Sequence, residues 1–99
     1  MAFQSLNEFY PYYLQEHSNA MCRRLHFVGT SLVIGIVATA VVTQQWAWLA
    51  ALPLAGYGFA WAGHFFFEHN KPATFKHPLY SLVSDFLMYR DMWLGKVSF

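Results

Sequence analysis

Charge is what this 99-residue chain has least of: Lys, Arg, Asp and Glu make up 11% of it, less than half the share of an ordinary soluble domain. The few charges nearly cancel, to a formal +1, which leaves no basic surface to grip phosphates and excludes nucleic acid as a partner. A lone cysteine, Cys22, excludes an internal disulfide, so packing or a ligand must hold the fold. The opening MAFQSLNEFYPYYLQEHSN has no basic stretch leading into an apolar run and does not read as a cleaved signal peptide. Repeats and low-complexity tracts are missing too. The length suits a single domain, residues 1–99.

The missing charges are missing from one place. No Lys, Arg, Asp or Glu falls within residues 25–67, where LHFVGTSLVIGIVATAVVT (25–43) and WAWLAALPLAGYGFAWAGHFFF (46–67) are each near the ~20 residues that cross a hydrocarbon core. Gln44-Gln45 makes a turn between them, with Trp46 and Trp48 placed where an interfacial aromatic belt belongs. Lipid admits only helices or closed barrels, so the expectation is an all-α membrane hairpin of two transmembrane helices. All six basic residues lie on the side away from the turn, which puts both termini in the cytoplasm and the chain in a membrane such as the bacterial inner membrane.

The flanks predict amphipathic interfacial helices over about 5–17 and 79–94. In the first, Leu6, Phe9, Tyr10, Tyr13, Leu14 and His17 share a face, and Ser5 with Glu8 forms a capping box. Pro11 predicts a kink there or a later start. In the second, after Pro78, the apolar positions are Leu82, Val83, Phe86, Leu87, Tyr89 and Trp93. NKPATFKHP (70–78) is the one Pro-punctuated connection.

What the chain does have, inside and beside its apolar core, is histidine. His26 lies about as far before the turn as His64 lies after it, so an antiparallel hairpin brings both to one depth near the cytoplasmic boundary. Gly56, Ala60 and His64 recur every four residues, a small-residue face that turns His64 toward its partner helix. Ionisable residues in a span face the interior and mark a functional site. Glu68 follows on the same side, and a bend at SNA (18–20) returns His17 over the site. Two histidines and a carboxylate suit non-haem Fe(II), while three N/O ligands with an open position suit catalytic Zn(II). Two other readings fit the same residues: a haem-binding electron-transfer hairpin with His26 and His64 as axial ligands, and a non-catalytic membrane scaffold whose histidines satisfy buried hydrogen bonds. A two-span hairpin has little interior, so the same residues also fit a homodimer that completes the site. His69 and His77 read as surface or capping residues, and Cys22 as a packed one.

FYPYYLQEHSNAMCRRLHFVGTSL with GYGFAWAGHFFFEHNKPATFKHPLYSLVSDFLMYRDM resembles the bacterial branch of a family of small membrane proteins. That family includes the yeast 2-hydroxy fatty acid dioxygenase of phytosphingosine α-oxidation. The resemblance covers nearly the whole chain. It implies an Fe(II)-dependent enzyme that uses O2 to convert a 2-hydroxy fatty acid to the fatty acid one carbon shorter. It also implies His17, His26, His64 and Glu68 as metal-binding, catalytic residues, and leaves His69 and His77 outside the shared site. Arg23 and Arg24 at the same boundary read as a positive anchor or as partners for the substrate carboxylate.

Overall fold

The computed structural model describes residues 4–71 and 76–99, so Pro72 and Ala73 of the second motif and the centre of the Pro-punctuated loop lie outside the described residues. Among the described residues the protein is all-helical: α1 (Leu6–Gln15), α2 (Ala20–Thr43), a helical run through residues 46–68 that contains α3 (Phe59–Ala62), and α4 (Pro78–Trp93).

Helix α1 starts where its capping box sets it. Ser5 accepts the Glu8 N–H at 3.3 Å, and Glu8 reaches back to the Gln4 N–H at 2.8 Å. The helix then runs through Pro11 instead of starting there, because the cap satisfies its first donors and Pro11 forfeits one internal bond. Phe9 and Tyr13, fully buried, pack with Met88 and Met92 of α4 as the core between these two helices. Tyr10 donates to Asp91 at 2.8 Å, and Tyr13 donates to Asp85, so two turns of α4 are tied to α1.

Helix α4 begins with Pro78 at its first turn, where a missing N–H costs nothing. Its buried positions include Ser81, Ser84, Asp91 and the two methionines, while Leu79, Leu82, Phe86 and Trp93 are exposed. The apolar face legible in the sequence is therefore largely turned outward, and a face of small and polar groups meets the protein.

Helix α2 is the one helix among the described residues long and apolar enough to cross a membrane; only 22% of its most apolar window is buried. Its 24 residues rise about 36 Å, more than a hydrocarbon core. It ends at Gln44 in the left-handed conformation (φ 56°), and the chain turns back as expected. The return stretch is not one regular α-helix. A 3₁₀ segment (Trp46–Ala51) leads to π turns at Leu54–Gly58 and Gly63–Glu68 on either side of α3. Pro53, Gly56, Gly58 and Gly63 weaken regular i→i+4 pairing here, and the wider turns absorb the mismatch.

The tightest approach to α2 is made by Ala55, Phe59 and Gly63, beside the expected Gly56–Ala60–His64 face, whose His64 does turn toward His26 of α2. A Cβ on Gly29 would lie 2.9 Å from the Ala55 carbonyl and 3.1 Å from Phe59 Cβ, and one on Gly63 would lie 2.9 Å from Cys22 Sγ and 3.1 Å from its Cα. Gly56, by contrast, leaves 3.6 Å to Val33. Gly63→Ala is accordingly expected to destabilise the protein by about 1–3 kcal/mol through overpacking, while Gly56→Ala is neutral or mildly stabilising. Thermal unfolding of both variants in detergent checks the contrast; equal melting would contradict this packing.

Candidate metal centre

Three elements deliver one imidazole each. His17 follows α1 on a turn closed by its own N–H to the Leu14 carbonyl (3.1 Å), His26 lies nearly two turns into α2, and His64 is the second residue of the last π turn. Asn19 caps α2 by accepting the Met21 and Cys22 N–H groups at 2.9 and 3.2 Å, which fixes the bend that carries His17 back over the helix pair. Arg23 secures the same bend, donating to the carbonyls of His17 (2.9 Å), Ser18 (2.7 Å) and Ser98 (2.8 Å).

The rings are almost wholly enclosed: His17 is 1% exposed, His26 5% and His64 1%. Each spends its Nδ1 on a fixed oxygen acceptor. His17 donates to the Tyr13 carbonyl (2.6 Å), His26 to the Cys22 carbonyl (2.8 Å) and His64 to Asn70 Oδ1 (2.7 Å). The Asn70 orientation follows from its NH2, which donates to the Glu16 carbonyl at 3.2 Å and so leaves its oxygen to His64. In all three neutral imidazoles the proton therefore sits on Nδ1, and the lone pair sits on Nε2.

Those lone pairs converge. His17 Nε2 lies 3.1 Å from His26 Nε2 and 2.9 Å from His64 Nε2. Three bare acceptors pressed together repel unless something positive sits among them. One proton can serve only one short contact at a time; a metal ion serves all three. Nitrogens bonded at ~2.1 Å to one ion at right angles are about 3.0 Å apart, so each of the two contacts fits a pair of neighbouring ligands on one ion, with His17 common to both. Cys22 Sγ belongs to the same tight group, whose ligand atoms all lie within 4.8 Å of one another. Its sulfur is 3.7 Å from His26 Nδ1, the nitrogen turned away from the other rings, and lies against Gly63. Cys22 thus packs behind His26, in keeping with its reading as a packed residue.

Glu68 stands apart. Its carboxylate accepts the Asn19 N–H at 2.6 Å and the Ser18 hydroxyl at 3.3 Å, where the free donors and positive end of α2 attract an anion. It ties the end of the second helical run to the start of α2 and is not among the converging atoms. His69 is exposed and ends the π turn in the left-handed conformation, and His77 packs edge-on against Phe9, 5.4 Å between ring centroids. Neither joins the cluster. Arg24 donates to the Phe99 carbonyl at 3.3 Å and lies over the Phe99 ring. Both arginines thus bind the chain's own backbone.

A second layer supports the rings. Tyr13 stacks on His17 with centroids 3.9 Å apart and donates its hydroxyl to Asp85. Burial pushes the Asp85 carboxyl up to about 7, against the lowering effect of the Tyr13 hydrogen bond. Burial, reinforced by Asp85, raises the Tyr13 hydroxyl well above the usual phenol range. His17 is lowered well below the ordinary imidazole value, first by burial and then by the two neighbouring imidazoles. Tyr13, Asp85 and Asn70 escaped the sequence reading. Tyr13 lies four residues before His17 on the same helical face, a signal that was present; the other two depend on contacts across the fold.

Beside His26 a cavity of about 250 Å³ opens between α2, the second helical run and α4. Thr30 and Asp85 share its wall with His26, and Val33, Leu52 and Pro53 carry it toward the Gln44-Gln45 turn.

The profile of a family described as 2-hydroxy-palmitic acid dioxygenase Mpo1-like matches residues 3–97. No curated protein and no solved structure matches the chain.

Proposed function

The chain belongs to the Mpo1-like family, and we propose that it is a membrane-embedded, iron(II)-dependent dioxygenase that shortens 2-hydroxy fatty acids by one carbon. One observation carries the reading: the buried Nε2 lone pair of His17 lies 3.1 and 2.9 Å from those of His26 and His64, and each ring is held there by a hydrogen bond from its own Nδ1. Three neutral nitrogens would leave other positions on an iron ion open for a chelating substrate and O2, as in non-haem iron oxygenases. Zinc accepts the same donors but does no redox chemistry, and the family name specifies a dioxygenase. A haem between His26 and His64 is disfavoured because His17 stands in edge contact with both, 4.4 Å from each ring centroid.

The reaction balances with O2 as sole oxidant: R–CHOH–COOH + O2 gives R–COOH + CO2 + H2O. The bond between the carboxyl carbon and the hydroxyl-bearing carbon breaks, and the latter becomes the new carboxyl. Iron(II) held by His17, His26 and His64 would supply oxygen activation and a point of attachment for the substrate's hydroxyl and carboxylate oxygens. The chain's own part is to fix the three tautomers and to exclude water around the rings. Glu68 ties the end of the second helical run to the start of α2 through Asn19, next to the bend that carries His17.

A lipid setting accounts for the exposed apolar surface of α2, of the second run and of α4, which no small soluble domain would leave in water. In this reading residues 46–68 form the second span despite their irregular turns, with the basic residues and both termini cytoplasmic. All three imidazoles come from one chain, so the metal centre needs no second copy.

The test is iron and product together. Protein purified without oxygen and supplied with Fe(II) is expected to hold about one iron per chain and, on admission of O2, to convert 2-hydroxypalmitate to the acid one carbon shorter. Iron at background level with no product would overturn the proposal.

A further inference from the structure

The cavity beside His26 has a polar end and an apolar end, and the two lie in a fixed order. His26, Thr30 and Val33 follow one face of α2, over about 10 Å of helix. At the His26 end the facing wall includes Asp85; farther along, Leu52, Pro53 and Tyr57 line it, with Leu82 and Phe86 of α4 alongside. Asp85 points one carboxylate oxygen at the Tyr13 hydroxyl. Its other oxygen has no hydrogen-bond partner among the described residues, although the side chain lines the cavity. An acceptor left over beside a metal-binding histidine, at the head of an apolar slot, asks for a ligand with a donor close to its polar end.

We propose that this cavity is the substrate slot, with the alkyl chain lying toward Val33 and Leu52 and Asp85 accepting a hydrogen bond from the 2-hydroxyl group. Asp85 is then the residue that tells a 2-hydroxy acid from an unsubstituted one. The inference rests on the iron-dependent reading for its choice of substrate, but its geometry belongs to the protein alone. At about 250 Å³ the slot is slightly smaller than most ligand pockets, so it takes the head and the first part of a long chain, and the rest extends out of it. A site built to hydrogen-bond a hydroxyl discriminates strongly against the analogue lacking it, because the buried acceptor is then left unpaired.

Binding is measured on metal-free protein in detergent, where chelation by iron cannot contribute, with 2-hydroxypalmitate and palmitate competing against a diazirine-bearing 2-hydroxy acid. Native protein is expected to favour 2-hydroxypalmitate by at least about tenfold. Tyr13→Phe, which keeps Asp85, should retain that preference. Tyr13→Phe with Asp85→Leu removes donor and acceptor together, spares the fold an unpaired buried group, and should bring the two acids to parity. Val33→Phe should weaken both acids by about tenfold or more by filling the slot, and cross-linking in native protein should fall on Val33, Leu52 or Phe86. Equal binding of the two acids by native protein, an unchanged ratio in the double variant, no binding at all, or cross-links outside the slot would each overturn the proposal. Selective binding by metal-free protein combined with no oxidation by iron-loaded protein would remove the proposed reaction and leave the slot standing. Oxidation without selective binding would do the reverse.

Discussion

Replacing His17 with alanine is expected to remove iron and turnover together, lowering iron affinity by more than about 100-fold, beyond what loss of an outer-shell partner does. His17 is the hinge of the centre: its Nε2 makes both short contacts, at 3.1 and 2.9 Å, and its ring touches both of the others. Without it, His26 and His64 remain as two ligands, with ring centroids 5.0 Å apart across an empty space. The substitution also deletes a buried ring stacked on Tyr13, so some loss of stability accompanies it. The two effects separate in the difference between iron-loaded and metal-free unfolding temperatures. On the iron-dependent reading Fe(II) should raise the unfolding temperature of native protein by mass action; in His17→Ala that rise should vanish, whatever the metal-free value. His69→Ala should keep both the rise and the turnover, since His69 lies outside the cluster. A His17→Ala protein that still gains stability from Fe(II) would show that the metal sits elsewhere.

The convergence of His26 and His64 was legible because a hairpin has a simple register: equal distance from the Gln44-Gln45 turn means equal depth. The return of His17 was legible as a bend at residues 18–20, and Asn19 and Arg23 are what make that bend. Glu68 shows where such reasoning stops. Spacing put it beside His64, but the backbone N–H groups at the start of α2 were nearer and unpaired, and a carboxylate goes to them. Counting by fours turned His64 toward α2, as the structure has it, but missed the tighter ridge of Ala55, Phe59 and Gly63 beside it, since Pro53 and three glycines turn that stretch partly into π and 3₁₀ helix. The roles of Asp85 and Asn70 were not readable. Asp85 depends on α4 folding back against α1 and α2, and Asn70 on two neighbours, Glu16 and His64, that are far apart in sequence.

Asn70 carries the second large effect. Among the described residues it supplies the one side-chain oxygen that accepts from an Nδ1 of the cluster; the other two rings donate to backbone carbonyls four residues earlier in sequence, which no substitution removes. In Asn70→Leu the His64 Nδ1–H loses its acceptor and the Glu16 carbonyl loses its donor, so the ring is free to rotate or to move its proton to Nε2. A proton on Nε2 occupies the lone pair the metal needs. Iron affinity is expected to fall by about 10–100-fold, with turnover following it at limiting iron and recovering at high iron. Asn70→Asp separates acceptor from donor. A carboxylate still accepts from Nδ1–H and makes the imidazole a stronger ligand, while the Glu16 carbonyl stays unpaired, so iron affinity should remain within about tenfold of native even if the protein melts earlier. Iron titrations of the three proteins decide the matter. If leucine binds iron as well as asparagine does, the rings are held by packing alone; if aspartate falls as far as leucine, the bond to Glu16, and not the His64 tautomer, is what Asn70 supplies.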